Sequence, residues 1–184
     1  MSLASKNIET LLVLCKQGNQ LAQLEVYNRY QQAMYNTSLR IVKESAEAED
    51  IMQESFITAF DKLDSFKGEA SFGAWLKRIV INNSLTQYRR NSRFKIVTDE
   101  SISEEAHQDE FDAYEDVDSK IKAKKLLECM GELHDSYNRI LNLHFIEGYD
   151  YEEICEILNI SYANCRTMIS RAKESLRKKL TQVI

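Results

Sequence analysis

An all-α fold of two small helical domains is what this sequence predicts, and three observations predict it. The 184 residues contain no proline and only five glycines, so little interrupts a helix. Apolar residues recur at three- and four-residue spacing through most of the chain, and no convincing alternating strand is present. Charge is unevenly spread: residues 1–97 hold 13 Lys and Arg against 10 Asp and Glu, residues 98–119 hold none against 10, and residues 120–184 hold 11 against 9. The net charge of -5 therefore belongs to one acidic stretch between two mildly basic helical blocks. The expected division is a domain over 1–95, an acidic flexible linker over 96–119 that is poor in apolar groups, and a domain over 120–184.

The helices follow in order. Ile8, Leu11, Leu12 and Cys15 give a short first helix, broken at Gly18 and Asn19. A longer one runs from about Gln20 to Val42, with Leu21, Leu24, Tyr27, Tyr30, Met34, Leu39 and Ile41 available to a core. The third, roughly Ser45 to Leu63, turns Met52, Phe56, Ala59, Phe60 and Leu63 inward. A loop over Asp64–Ser71 leads to a fourth helix from about Ala70 to Arg90. Beyond the acidic stretch, Ile121, Leu126, Leu127, Met130 and Leu133 mark another helix, and Tyr137, Ile140, Leu141, Leu143 and Phe145 mark one more, ending at Gly148.

The last stretch, Gly148 to Leu180, reads as two helices joined by a tight turn. Asp150 with Glu153 three residues on is a helix-start pattern, a short acceptor at the cap and a carboxylate reaching back. Ile154, Leu158 and Ile160 face inward with Cys155. Ser161 caps a second helix whose Cys165, Ile169, Ala172 and Leu176 recur at helical spacing. Its other side carries Arg166, Thr167, Ser170, Arg171 and Lys173, followed by Arg177, Lys178 and Lys179. An inward stripe for rigidity and an outward stripe of short polar and basic side chains suit a helix-turn-helix reading the major groove. That reading is favoured over a plain helical hairpin, although basic residues also suit the dipole at a helix C-terminus.

Two other groups of residues are candidates. Asp50, Gln53, Glu54, Ile57 and Asp61 line the outward side of the third helix, and Asp50, Gln53 and Glu54, at i, i+3 and i+4, are side by side on one exposed patch. Residue pattern alone favours a solvated acidic face, since no histidine, phosphate loop or activated nucleophile accompanies it. In the fourth helix Phe72, Trp75, Leu76 and Ile79 are interleaved with Lys77, Arg78, Asn82, Arg89 and Arg90. Rings that stack on unpaired bases beside cations that hold phosphates would suit single-stranded nucleic acid. Packing of those rings in the core is an equal alternative.

Other classes are disfavoured. Cys15, Cys129, Cys155 and Cys165 never fall in CxxC spacing, and His107, His134 and His144 are scattered, so neither a zinc site nor a disulfide framework is expected. No set of nucleophile, base and orienting group can be assembled, so the expectation is that the chain is not an enzyme and takes no cofactor, metal or small-molecule substrate. Nothing resembles a signal peptide and no apolar run reaches bilayer length, which predicts a cytoplasmic protein.

The order of these pieces resembles the small two-domain sigma factors of bacterial RNA polymerase, the extracytoplasmic-function group of the sigma-70 family. Ala48-Glu49-Asp50-Ile51-Met52-Gln53-Glu54-Ser55-Phe56 is similar to the family's core-binding helix. Phe66-Lys67-Gly68-Glu69-Ala70-Ser71-Phe72, with Trp75-Leu76, Arg78-Ile79, Asn82 and Arg89-Arg90, is similar to its promoter-melting region. Gly148 through Ile154, Ile160-Ser161 and Ser170-Arg171-Ala172-Lys173 are similar to its upstream-element reader. The resemblance implies a subunit that directs core RNA polymerase to a subset of promoters and assists melting.

By that resemblance Asp50, Gln53 and Glu54 would meet a basic clamp helix of the large polymerase subunit, reversing the solvated-face preference. Phe66, Lys67, Trp75 and Asn82 would hold flipped-out bases of the minus-10 element, with Arg78, Arg89, Arg90 and Arg93 near phosphates. Arg166, Thr167, Ser170, Arg171 and Lys173 would meet the minus-35 element. The linker would thread toward the polymerase active centre, the C-terminal domain would touch the flap of the second large subunit, and an anti-sigma factor would cover the binding surfaces. The chain departs from the family where Ala163-Asn164-Cys165 stand for the usual Gly-Thr-Val, where Met168 replaces a common Arg, and where a proline is missing near Gly131–Asp135. Two alternatives remain at this level: a stand-alone helix-turn-helix regulator, and a sigma-like decoy that binds an anti-sigma factor but no promoter.

Overall fold

The computed structural model describes residues 3–95 and 117–183, and among these every regular element is helical. The chain divides into two compact units between residues 107 and 108. The expected linker is shortened by helix α5, which begins at Val117. The remainder, 96–116, lies outside the described residues, as does the side chain of Arg93.

The first unit holds α1 (Ile8–Lys16), α2 (Gln20–Val42), α3 (Ser45–Asp61) and α4 (Phe72–Lys95), with short 3-10 turns at Leu3–Ser5 and Leu63–Ser65. Each early boundary has a local chemical cause. The Asn7 and Asn19 side chains accept from the Thr10 and Ala22 amides at 3.0 Å and cap α1 and α2. Lys43 ends α2 in the left-handed conformation, and Glu44 then caps α3 by accepting from the Ala46 and Glu47 amides. Ser71 Oγ accepts from the Ala74 amide at 3.2 Å, so α4 starts two residues later than expected and extends five residues further.

Helices α2, α3 and α4 pack on one another and α1 lies on α2. Leu11, Val26, Met34, Met52, Phe56, Phe72, Leu76 and Val80 form the core, each buried Leu or Phe contributing about 1.5–3 kcal/mol. Leu21 and Leu24 do not join it; they are exposed, and Ala22 and Val26 face inward instead. The stripe that continues to Met34, Ser38 and Ile41 has Ala22 and Val26 in phase, and at 100° per residue both leucines fall off it.

Buried and half-buried polar groups fix how α4 is rotated. Ser84 Oγ donates to the Val80 carbonyl at 2.8 Å and lies 3.0 Å from Ser38 Oγ on α2. Asn83 Nδ2 donates to Ser55 Oγ at 3.0 Å, and that hydroxyl donates to the Ile51 carbonyl at 2.7 Å. One carboxylate oxygen of Glu47 accepts from Gln87 at 2.9 Å and Asn91 at 2.7 Å. These bonds join the second half of α4 to both neighbours.

The second unit holds α5 (Val117–Gly131), α6 (Asp135–Leu141), a π-helical turn (Asn142–Ile146), α7 (Tyr151–Leu158) and α8 (Tyr162–Val183). Helix α8 packs against α5, α6 and α7. Cys129, Met130, Leu133, Ile140, Leu141, Leu143, Ile154 and Ile157 close around Cys165, Ile169, Ala172 and Leu176. Three expectations change here. Ile121 and Phe145 are exposed, and Ile157 rather than Leu158 completes the buried side of α7. Within the π turn Leu143 is buried, and Phe145 is exposed beneath the Lys173 ammonium, which lies 5.1 Å from its ring centre.

Cys165 sits at the centre of this packing. Its thiol is pushed up from 9.0 to about 11, first by burial and then by the neighbouring Cys155 and Glu152. An unfolded thiol ionises before the folded one, so raising pH through the unfolded value removes stability until the folded value is passed. The expected outcome is that wild type loses more stability than Cys165→Val between neutral pH and about pH 10 in urea titrations of the second unit. Equal losses would show that Cys165 does not govern this alkaline decline.

Candidate functional site

Three surfaces carry the residues singled out in the sequence. On α3, Asp50, Gln53 and Glu54 are all exposed, on the side opposite Met52, Phe56 and Ala59. The same surface includes two residues not assigned a role from sequence. Glu49 is exposed and accepts from Gln53 Nε2 at 3.2 Å, and Ile57 is 63% exposed one turn beyond. An apolar group flanked by carboxylates on a helix held from behind can insert into a partner while the acids meet cations.

On α4, Trp75, Arg78, Asn82 and Arg89 fall at i, i+3, i+7 and i+14 and share one face. Asn82 and Arg89 are exposed; Trp75 and Arg78 are half-buried. Arg90 is exposed a quarter turn around the helix. Thr86, also exposed on the shared face, was not anticipated, and its hydroxyl donates to the Asn82 carbonyl at 2.8 Å.

The competing roles proposed for the rings divide between residues. Phe72 is buried, with Tyr30 edge-on at 5.5 Å. Trp75 and Phe66 are half-buried, 5.3 Å apart, and each lies 5.8 Å from Phe72. One part of the indole therefore packs on the core while another stays accessible. Phe66 leads into the loop carrying the exposed Lys67, which Gly68 turns at a φ of +76° that side chains rarely adopt.

In the second unit, the two reciprocal bonds of the Asp150 cap are present. Glu153 N–H donates to Asp150 Oδ1 at 2.8 Å and Asp150 N–H to Glu153 Oε2 at 2.9 Å. Asn159 ends α7 in the left-handed conformation, and Ser161 Oγ accepts from the Asn164 amide at 3.3 Å to start α8. Two helices are thus joined by a three-residue turn whose start and stop are both specified locally. Arg166, Thr167, Ser170 and Arg171 line one shallow groove along α8 together with Tyr162 and Ala163.

Lys173 lies at the shoulder of the buried stripe, against Phe145. The basic end of α8 has local acidic partners. Lys179 Nζ lies 2.7 Å from a Glu132 carboxylate oxygen, and Arg177 and Lys178 stand 3.7 and 3.9 Å from Glu174. Tyr162 escaped the sequence reading. An aromatic residue at the first helical position, out of phase with the buried stripe, was the available signal.

Known proteins match this architecture unit by unit. A family model for sigma-70 region 2 matches residues 26–94, spanning most of α2 to α4, and one for sigma-70 region 4 matches residues 123–176, from α5 into α8. The RNA polymerase sigma factor YlaC of Bacillus subtilis is 30% identical over 159 residues, 86% of this chain and 91% of that one. The chain belongs to the extracytoplasmic-function group of the sigma-70 family. It is an RNA polymerase sigma factor acting in transcription initiation.

Among its relatives, SigW of Bacillus subtilis is 30% identical over 90% of this chain and 92% of its own length. The sigma-E factor of Haemophilus influenzae is 28% identical over 94% of each chain. Two solved structures share the fold. The sigma factor RpoE of Bartonella quintana, crystallised with the anti-sigma factor NepR, has a TM-score of 0.63 at 21% identity, covering 85% of this chain and 95% of that one. CnrH, in complex with the cytosolic domain of CnrY, has a TM-score of 0.55 at 22% identity, covering 94% and 96%. No helix among the described residues is long and apolar enough to cross a membrane.

The capping box of this sigma factor yields a direct test. Asp150→Ala leaves the Glu153 amide without its cap and is expected to destabilise the second unit by about 1 kcal/mol. Urea denaturation followed by circular dichroism measures this, and Asp150→Asn should recover most of it.

Proposed function

We propose that the exposed face of α3 docks this sigma factor on core RNA polymerase, that the outer face of α4 holds melted DNA, and that the groove on α8 reads duplex DNA upstream. The observation that carries this is the division of each helix between a buried apolar stripe and an exposed face that holds the residues singled out above. Asp50, Gln53 and Glu54 give an acidic face suited to a basic clamp helix of the large subunit. Trp75 and Asn82, with Phe66 and Lys67 in the preceding loop, provide a ring, an amide and a cation for flipped-out minus-10 bases, while Arg78, Arg89 and Arg90 serve the phosphates. Arg166, Thr167, Ser170 and Arg171 read the minus-35 element, with Lys173 alongside on the backbone. The domain roles follow as 1–95 for core binding and melting, 96–119 as linker and 120–184 for the minus-35 element and the polymerase flap.

This arrangement directs polymerase to a promoter subset and helps open the duplex by trapping unstacked bases, with no bond made or broken by the chain itself. The protein is accordingly read as a non-enzymatic, cytoplasmic subunit with no cofactor and no small-molecule substrate. RpoE and CnrH were each captured with a protein partner, one named as an anti-sigma factor, which supports sequestration by an anti-sigma protein as the form of control here.

Two measurements test the assignment. Purified wild type should co-elute with sigma-free core polymerase, and Asp50→Lys/Glu54→Lys should not while retaining its helical spectrum. Failure of wild type to bind core would remove the docking assignment. For the groove, Arg171→Ala in the reconstituted holoenzyme should weaken promoter binding by about 1–3 kcal/mol and relax preference at one base pair. Unchanged preference together with an unchanged salt slope would take Arg171 off the DNA surface.

A further inference from the structure

The groove on α8 is not uniformly polar, and its composition supports an inference that rests on the promoter-reading role above. Tyr162, the first residue of α8, lines the groove beside Ala163, Arg166 and Thr167 and is 50% exposed. Its ring is held from behind. The Tyr151 ring lies 6.0 Å away at 49°, and the His144 ring meets Tyr151 edge-on at 5.2 Å. His144 is anchored in turn, its Nδ1 3.1 Å from the Tyr149 carbonyl, where an Nδ1–H can donate. Rings backed in this way lose little freedom when the exposed side meets a ligand.

The neighbours of Tyr162 sharpen the chemistry. Ala163 offers only a methyl group. Thr167 donates its hydroxyl hydrogen to the Ala163 carbonyl at 2.8 Å, leaving its methyl as the group for a base edge. The groove therefore combines two guanidinium groups and the Ser170 hydroxyl with a ring and two methyls. In the major groove an arginine fork matches guanine, whereas an apolar side chain matches the 5-methyl group that thymine alone presents there. Residues at the N-terminal end of a recognition helix are those that reach base edges.

We propose that Tyr162, flanked by the methyls of Ala163 and Thr167, is a specificity-determining residue that packs against a thymine 5-methyl group in the minus-35 element. Arg166 and Arg171 supply the hydrogen-bonded part of the same recognition. The ring, not the hydroxyl, carries this contact, so Tyr162→Phe preserves it and Tyr162→Ala removes it.

The test uses holoenzyme assembled from the full chain and core RNA polymerase, selecting from a promoter library randomised across the minus-35 element. Wild type and Tyr162→Phe are expected to enrich thymine at one common position, and Tyr162→Ala to lose that preference while keeping the others. Replacing that thymine by deoxyuridine deletes only the methyl group. It should weaken wild-type binding about fourfold, the worth of one buried methyl, and leave Tyr162→Ala binding unchanged. A thymine preference that survives in Tyr162→Ala, or an equal deoxyuridine loss in both proteins, overturns the proposal. Arg166→Ala and Arg171→Ala in the same selection separate this from the underlying reading. If they alter base preference and Tyr162→Ala does not, only the thymine contact fails; if none of the three alters it, the groove is not the promoter reader.

Discussion

Hydrogen bonds between α4 and its neighbours, one of them fully buried, determine which side of that helix meets the outside. Apolar packing alone tolerates some rotation of a helix about its axis, because many rotations bury similar area. The buried Ser38–Ser84 pair, the part-buried Asn83–Ser55 bond and the two donors converging on Glu47 tolerate much less, since a small rotation would break them and leave the two serine hydroxyls without each other in the interior. The face carrying Trp75, Arg78, Asn82 and Arg89 is the remainder once those bonds are satisfied. The orientation of that face thus depends on side chains that lie behind it.

The second unit solves the same problem differently. Helix α7 spans only Tyr151–Leu158, too short to be stable alone. Its register is set at its ends by the Asp150–Glu153 box, the left-handed Asn159 and the Ser161 cap of the next helix. The long α8 then needs only Cys165, Ile169, Ala172 and Leu176 to choose its inward side. Small side chains at Cys165 and Ala172 suit close approach of the packed helices, and burial keeps the Cys165 thiol protonated.

Much of this was legible from residue order. The caps at Asp150 and Ser161 and the α8 stripe are local patterns, and local patterns survive without knowledge of what packs against them. The misplacements at Leu21, Leu24, Ile121 and Phe145 share one cause: hydrophobicity was taken as a sign of burial, whereas burial follows helical phase, and phase is set by the neighbouring helix. Sequence placed Asp50, Gln53, Glu54 and Ile57 on the outward side of α3 but gave Glu49 no part in that face, because its bond from Gln53 appears only in the folded chain. Tyr162 carried a signal in its place at the helix start, but its support from Tyr151, itself backed by His144, forms only in the folded chain.

The π turn at Asn142–Ile146 has an evolutionary consequence. Its Glu147 amide bonds the carbonyl five residues back, the geometry that arises when one residue is inserted into a continuous helix. Deleting a residue there would restore regular winding and also swing everything downstream by about a quarter turn. His144 would leave the Tyr149 carbonyl, Phe145 would leave Lys173, and the ring behind Tyr162 would lose its support. The length between Leu141 and Asp150 is therefore constrained by the packing on either side of it. Insertions and deletions in relatives should therefore be rare in this interval, even where the side chains themselves have changed.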